Sequence, residues 1–382
     1  MIFAANDAIY AVKFIRNALL FFVVSVSCYF VVIRIAVKVH SCYRYAIIFD
    51  AGSTATRIHI YRFINKPLET WTVKLSDEYF EETKPGISEL SPDLVISQTE
   101  HLLVNALKQF PRARHSPIVY CATAGLRSLP DQSKALVLLT SVETALIKYS
   151  SREPNFRVTI LSGKDEGLYS WITLSYLLLL TEFHNHMEIT TIDMGGISMQ
   201  MTCARPSNTS VTMQQPRLPS LNSVSLNNHG LVAARRKLID NRFYDCMLLT
   251  KDANNARIAE GCIDVVKKTM AFESRTNACP SNNDIYLFSY FYDIALKANL
   301  VESNKGGSIT LNSIMEAAEK WCTSEQESSN LMCLDLSYMY NTLNSTFNVK
   351  GHNKIRIVKK IKGIEVAWSL GLALSVLEDI KF

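Results

Sequence analysis

No Gly-x-x-x-x-Gly-Lys-Ser/Thr run occurs in the 382 residues, so this chain does not hold phosphate with a P-loop. No cysteine–histidine set has zinc-site spacing, and no Gly-x-Ser-x-Gly elbow is present to carry a nucleophilic serine. Lys and Arg total 40 against 35 Asp and Glu, a net charge of +5. These basic residues are scattered, and without a long run of them nucleic acid is not an expected partner. The densest basic stretch, IRIVKKIKG at 355–363, reads as a solvated face. At 48% hydrophobic and 20% charged, the chain is neither disordered nor fibrous and can build two sizeable cores.

Charge is also missing from ALLFFVVSVSCYFVVI, residues 18–33. The run is slightly short for a spanning helix of roughly 20 residues, but Arg34 could snorkel to extend it. No clean small-x-small cleavage site follows, so a retained signal anchor is favoured over a cleaved signal peptide. The expectation is a cytosolic tail at 1–17, a single-pass type II membrane helix at 18–38, a stalk at 39–44 and a luminal body. Cleavage in the stalk would release a secreted form. Nine cysteines fit an oxidising lumen. Cys322 and Cys333 bracket a polar loop, a natural disulfide span, and Cys246, Cys262 and Cys279 share a loop-rich zone. Cys28 falls in the expected span, whereas Cys121 and Cys203 lie in apolar strand-like runs and read as buried free thiols. Two glycosylation sequons, at Asn208 and Asn344, sit in polar, loop-like stretches.

Two stretches share one build: IIFDAGSTATRIHIYRF from Ile47 and TTIDMGGISMQMTC from Thr190. Each reads as strand, Asp, Gly turn, hydroxyl residue, returning strand. The glycines let the backbone approach an anion, and turn N–H groups form a nest for phosphate oxygens. Ser53, Thr54 and Ser198 add hydroxyl donors, while Asp50 and Asp193 offer hard oxygen ligands for Mg²⁺ or Ca²⁺, held through water. Two such hairpins facing across a cleft would grip one phosphate chain from both sides. Strands interleaved with helices, together with this internal repeat, give an α/β protein.

Two further elements lie between the copies. ATAGLR (122–127) offers Thr123 and backbone amides, and its Arg127 is either structural or a phosphate contact. SGKDEG (162–167) opens a helix. Asp165 reads as a helix cap, and Glu166, beside Gly167, as a general base for water attacking a terminal phosphorus.

These residues resemble the apyrase (CD39-like) family of nucleoside triphosphate diphosphohydrolases. Five family-type regions stand in the family order: DAGSTATRIHIYRF, ATAGLRSLP, SGKDEGLYSWITLSYLL, DMGGISMQMT and VAWSLGLAL. The match is nearest to the luminal nucleoside diphosphatase branch resembling types five and six, through KPGIS, HGLVAARRKL, LFSYFYD, KGGSITL and CLDLSYMYNTL. The resemblance implies a two-domain actin/Hsp70/sugar-kinase-like (ribonuclease H-like) fold with nucleotide between the domains. Domain I would comprise 45–165 plus 365–382, and domain II 166–364. It also implies Ca²⁺- or Mg²⁺-dependent hydrolysis of nucleoside diphosphates (UDP, GDP, IDP) in the endoplasmic reticulum or Golgi, supporting glycosylation. The alternatives are a broader apyrase, a non-catalytic nucleotide-binding accessory protein, and a phosphotransferase of the same superfold.

Carried over by position, Glu166 matches the catalytic base, and Gln200, with Ser198, the groups placing the attacking water. Asp50 and Asp193 match the metal-water ligands. Gly52, Ser53, Thr54, Thr123, Gly195, Gly196 and Ser198 match the phosphate shell. Tyr290 or Tyr292 would stack on the base, although an aromatic core stripe accounts for either, and Trp368 matches the last motif's tryptophan or packs as core. The resemblance pairs Cys246 with Cys262 and Cys322 with Cys333, leaving Cys279 unpaired, with 262–279 as the alternative bridge. Ala55, Ile197 and Met199 depart from the usual Gly, Ala and Thr; narrowing near the phosphate loops is expected from the first two.

Overall fold

The computed structural model describes residues 16–17, 19–32, 43–68, 71–149, 155–180, 188–205, 219–248, 255–271, 279–280, 283–324, 329–350 and 353–378. Five strands form the first sheet: β1 (Tyr43–Ala51), β2 (Thr56–Leu68), β3 (Trp71–Thr83), β4 (Ile118–Ala122) and β5 (Phe156–Ile160). Their order is β3-β2-β1-β4-β5, antiparallel through β1–β3 and parallel from β1 to β5. The second sheet holds β6 (Ile189–Met194), β7 (Ser198–Ala204), β8 (Leu221–Asn227), β9 (Asp284–Ser289), β10 (Gly307–Ile309) and β11 (Ile355–Ile357). Its order, β10-β11-β9-β6-β7-β8, repeats the first: a meander β6-β7-β8, then parallel β9 and β11. The repeat seen in two short motifs is thus a repeat of whole sheets.

Helices cover both sheets. On the outer face of the first, α1 (Pro92–Gln109) and α2 (Gln132–Ile147) bury Leu102, Leu103, Leu138 and Val142 against Ile47, Phe49 and Ile58. On the second, α4 (Leu231–Asp240), α5 (Asn255–Met270), α7 (Leu311–Cys322) and α8 (Ser329–Asn341) close a core with Ile192, Met199 and Leu287. Between the sheets lie α3 (Gly163–Leu179) and α9 (Trp368–Glu378), whose Trp171, Leu174, Leu370 and Leu374 share one core with Ile48 and Tyr61 of the first sheet and Ile189 and Phe288 of the second. Gly371 allows this closeness, since a Cβ there would sit 2.1 Å from the Tyr169 carbonyl oxygen. The expected division between 165 and 166 falls inside the first turn of α3. Because α3 and α9 are shared, the lobes meet through apolar packing rather than a bare linker.

Several expectations change. A membrane span over 18–38 is not borne out, because no helix among the described residues is long and apolar enough to cross a membrane. Residues 19–32 are helical and expose Phe21 and Phe22; residues 18 and 33–38 lie outside the described residues. Cys203 is not a free thiol and Cys279 is not unpaired, because they bond to each other, joining β7 to the segment before β9. That pairing removes the 262–279 alternative, whereas Cys246–Cys262 and Cys322–Cys333 are present as expected. Cys121 is buried and free. Asn344 lies half-buried on the π-helical turn Thr342–Thr346 rather than in a polar loop, and Asn208 is outside the described residues. The lysines of 355–363 are exposed as expected, Lys359, Lys360 and Lys362 alike, while the stretch also supplies β11 and half of a small hairpin, β12 (Lys360–Ile361) with β13 (Ile364–Glu365).

Candidate active site

The two motif turns close identically. Gly52 N donates to Ala55 O at 2.9 Å, and Gly195 N to Ser198 O at 2.9 Å. Each Asp ends its strand opposite a polar residue of the returning strand, Asp50 opposite Arg57 and Asp193 opposite Gln200. The turns meet across the interlobe cleft. A Cβ on Gly196 would fall 2.5 Å from Ser53 Oγ, and one on Gly86 would fall 2.4 Å from the Ser53 carbonyl. A larger residue at Gly86 would push the Ser53 backbone aside, and one at Gly196 would displace the Ser53 hydroxyl.

A cavity of about 500 Å³ opens at this meeting point, within the range of small-molecule sites. Asp50, Ser53, Thr54, Thr123, Glu166, Asp193, Gly195, Gly196 and Ser198 line it, together with Tyr290, Tyr292 and Trp368. Gly52 lies in the same β1–β2 turn and Gln200 is buried behind the wall, bonded to Ser198. Ile197 lines the cavity, while Ala55 and Met199 are fully buried, so of the three departures only Ile197 faces a ligand. Tyr292 is 3% exposed and its hydroxyl accepts Asn304 N–H at 2.9 Å, leaving the half-buried Tyr290 as the better stacking surface. Trp368 both lines the cavity and packs in the shared core.

Glu166 sits on the first turn of α3. Ser162 is the cap of that helix, accepting Asp165 N–H at 3.1 Å, and the Asp165 carboxylate accepts the Ser162 hydroxyl at 2.7 Å. Gly167 lets the turn press onto β7, since a Cβ there would meet Thr202 Oγ1 at 2.6 Å. Glu166 thereby lies beside Gln200, whose Nε2 donates to Glu166 Oε2 at 3.4 Å and Ser198 Oγ at 2.8 Å. Gln200 Oε1 is buried with no partner, the condition of an acceptor awaiting a donor. Arg127 donates to Glu166 Oε2 (3.3 Å), Ser198 Oγ (3.1 Å) and Leu161 O (2.6 Å), so it has a structural role in holding Glu166.

Burial sets the electrostatics. It pushes Glu166 up to about 8 despite the opposing Arg127 guanidinium, with Asp193 and Asp50 adding to the rise. Asp193 is pushed to about 6, again first by burial, with Ser289 and Ser170 holding it down. Asp50 is raised by burial although Arg57 stands 3.4 Å away. Three buried carboxyl groups share one cavity, and burial disfavours the charge on each unless a cation offsets it. Among the described residues their oxygens are not gathered within 4.8 Å of one another; the one ligand-type trio that close is Cys262, Cys322 and Cys333, all held in disulfides.

Sequence reasoning missed Ser170, whose Oγ donates to Asp193 at 3.2 Å, and Ser289, which bonds Asp193 from the β9 end. Ser289 has φ 59°, strained for a residue other than glycine. Arg57 was also missed; it bridges Asp50 and Glu82, the latter at 2.7 Å. A polar side chain one strand across from each motif Asp was the available signal.

The model of the GDA1/CD39 (nucleoside phosphatase) family matches residues 36–230 and 271–382. Among similar curated proteins, "Nucleoside-diphosphatase uda-1" of Caenorhabditis elegans is 32% identical, covering 90% of this chain and 84% of its own length. "Nucleoside diphosphate phosphatase ENTPD5" of Homo sapiens is 29% identical, covering 88% of each. "Ectonucleoside triphosphate diphosphohydrolase 6" of Mus musculus is also 29% identical, covering 88% of this chain and 82% of its own. Of solved structures, nucleoside triphosphate hydrolases from Neospora caninum superpose with a TM-score of 0.55 at 14% identity, over 88% of this chain and 93% of theirs. The Aquifex aeolicus Ppx/GppA phosphatase gives 0.50 at 13%, over 87% and 99%. These likenesses support the two-sheet actin/Hsp70-like fold, and the chain belongs to the GDA1/CD39 family.

Proposed function

We propose that this GDA1/CD39 family member hydrolyses nucleoside diphosphates, UDP and GDP foremost, to monophosphate and inorganic phosphate. The names of its relatives support the substrate class, and one observation carries the chemistry: Asp50, Asp193 and Glu166 are buried on the wall of one cavity, next to the unpartnered oxygen of Gln200.

In this reading the turn amides of both hairpins, with Ser53, Thr54, Thr123 and Ser198, hold the oxygens of the terminal phosphate. Gln200 Oε1 accepts a hydrogen bond from the attacking water. Glu166 takes the water's proton as its oxygen bonds to phosphorus, and the bridging P–O bond breaks toward the monophosphate. Arg127 keeps the Glu166 carboxylate aimed. Asp50 and Asp193 fit a divalent cation, Mg²⁺ or Ca²⁺, because both are hard oxygen donors whose burial disfavours their charge until a cation offsets it. When bound, the cation supplies charge neutralisation on the phosphate.

Three disulfides support an oxidising compartment, read here as the lumen of the endoplasmic reticulum or Golgi. Diphosphate released by glycosyl transfer would be the substrate there. Phosphate release over UDP, GDP, ADP, UTP and ATP with Mg²⁺ or Ca²⁺ tests the reading. Turnover of UDP or GDP supports it, equal turnover of triphosphates makes the protein a broad apyrase, and tight binding without release refutes catalysis.

A further inference from the structure

The basic stretch of residues 355–363 carries a second consequence. Lys359 and Lys360 line the same cavity as Glu166 and the two motif aspartates. Lys359 is held on both sides. The preceding Val358 N–H bonds Leu287 O of β9 at 3.0 Å, and the Lys359 carbonyl accepts Val366 N–H at 2.9 Å across the hairpin. The hairpin is tied to the first sheet as well, where Glu365 N–H reaches Glu78 Oε2 and Glu78 Oε1 in turn holds His59. The Lys359 ammonium lies 5.6 Å from the centroid of the buried Tyr292 ring.

Two other cations of that wall are occupied, whereas Lys360, exposed in β12, has no aromatic ring under its ammonium among the described residues. Arg57 pairs with Asp50 and Glu82, and Lys84 with Glu82. Lys359 forms no ion pair among the described residues, although Asp293 lies close enough to feel its charge. An exposed lysine with its ammonium over an aromatic ring and no carboxylate at ion-pair distance, on the wall of the cavity that would take the terminal phosphate, matches a second phosphate.

We propose that Lys359 binds the phosphate that stays with the nucleoside and holds it as it leaves. This rests on the diphosphatase reading above. As water's oxygen bonds to the terminal phosphorus and its proton passes to Glu166, the bridging oxygen keeps the electron pair of the broken bond. Negative charge then grows on the monophosphate, where Lys359 donates a hydrogen bond.

The test uses the full chain and two variants. Lys359→Met keeps an apolar stem on Tyr292 without the charge, and Lys359→Arg restores the charge. Inhibition of UDP and GDP hydrolysis is measured with UMP and GMP, and in parallel with uridine and guanosine. Lys359→Met should weaken monophosphate inhibition and raise KM by roughly tenfold or more, the scale of one charge-assisted hydrogen bond, and leave nucleoside inhibition unchanged. Retained nucleoside inhibition also shows that the variant is folded. Lys359→Arg should stay within about threefold of wild type. Unchanged monophosphate inhibition in Lys359→Met, or an equal loss of nucleoside inhibition, overturns the assignment. A wild-type protein that releases no phosphate from any diphosphate would instead refute the function itself.

Discussion

Replacing Glu166 with Gln should make the metal-free protein more stable while it abolishes turnover. Burial raises Glu166 from 4.5 to about 8, outweighing the Arg127 guanidinium beside it. Between those values the folded chain keeps a proton that the unfolded chain has lost, so stability falls as pH rises from 4.5 to 8. At about 1.36 kcal/mol per pH unit, carrying this group costs about 3 kcal/mol at pH 7. Gln removes that cost at nearly constant volume. That rise already includes the Arg127 attraction, and at pH 7 the folded carboxyl is largely protonated, so Gln replaces a neutral group and Arg127 keeps Ser198 and the Leu161 carbonyl. The expectation is a gain of about 3 kcal/mol at pH 7, vanishing near pH 4.5, or roughly 2–4 °C in Tm per kcal/mol for a lobe of this size. Thermal unfolding in chelator at pH 5, 6, 7 and 8 reads this directly. A loss of stability at pH 8, or a difference independent of pH, would show that Arg127 outweighs burial and that Glu166 is an ordinary ion-pair carboxylate.

Arg127→Gln should move Glu166 further upward, because the guanidinium is the main force holding it down; the acidic limb of the kcat/KM profile then shifts to higher pH, and an unshifted limb would contradict that role. Gly196→Ala places a methyl 2.5 Å from Ser53 Oγ and should lower kcat/KM by about tenfold or more with little change in Tm, since it displaces the Ser53 hydroxyl. Breaking Cys203–Cys279 by Cys279→Ser opens a 76-residue loop and should cost about 2–4 kcal/mol in denaturant unfolding, with peptide mapping under non-reducing conditions identifying the bond.

The parts of the site written in local turn chemistry were legible. Asp–Gly–hydroxyl turns and a capped helix start are specified by neighbours in sequence, so Asp50, Asp193 and Glu166 could be singled out before any fold was known. The third strand of each meander was not. β3 and β8 are edge strands; β3 carries Lys74, Asp77, Glu78, Glu81 and Glu82, and β8 is mostly polar and half-buried, so neither shows an apolar run. Cys203–Cys279 depends on which segment precedes β9 in space, a fact of sheet order that spacing cannot supply. Ser170 and Ser289 reach Asp193 from a different helix and a different strand, and Lys359 enters the cavity only because a hairpin spans the lobes. In each case the information lies in long-range register rather than in a motif.

The most direct test of the account compares wild type with Glu166→Gln, measuring phosphate release from UDP and GDP with a divalent cation alongside equilibrium nucleotide binding. The account predicts a fall in kcat of at least about a hundredfold, the typical contribution of a positioned base, with binding retained. Near-wild-type kcat in the variant would contradict it.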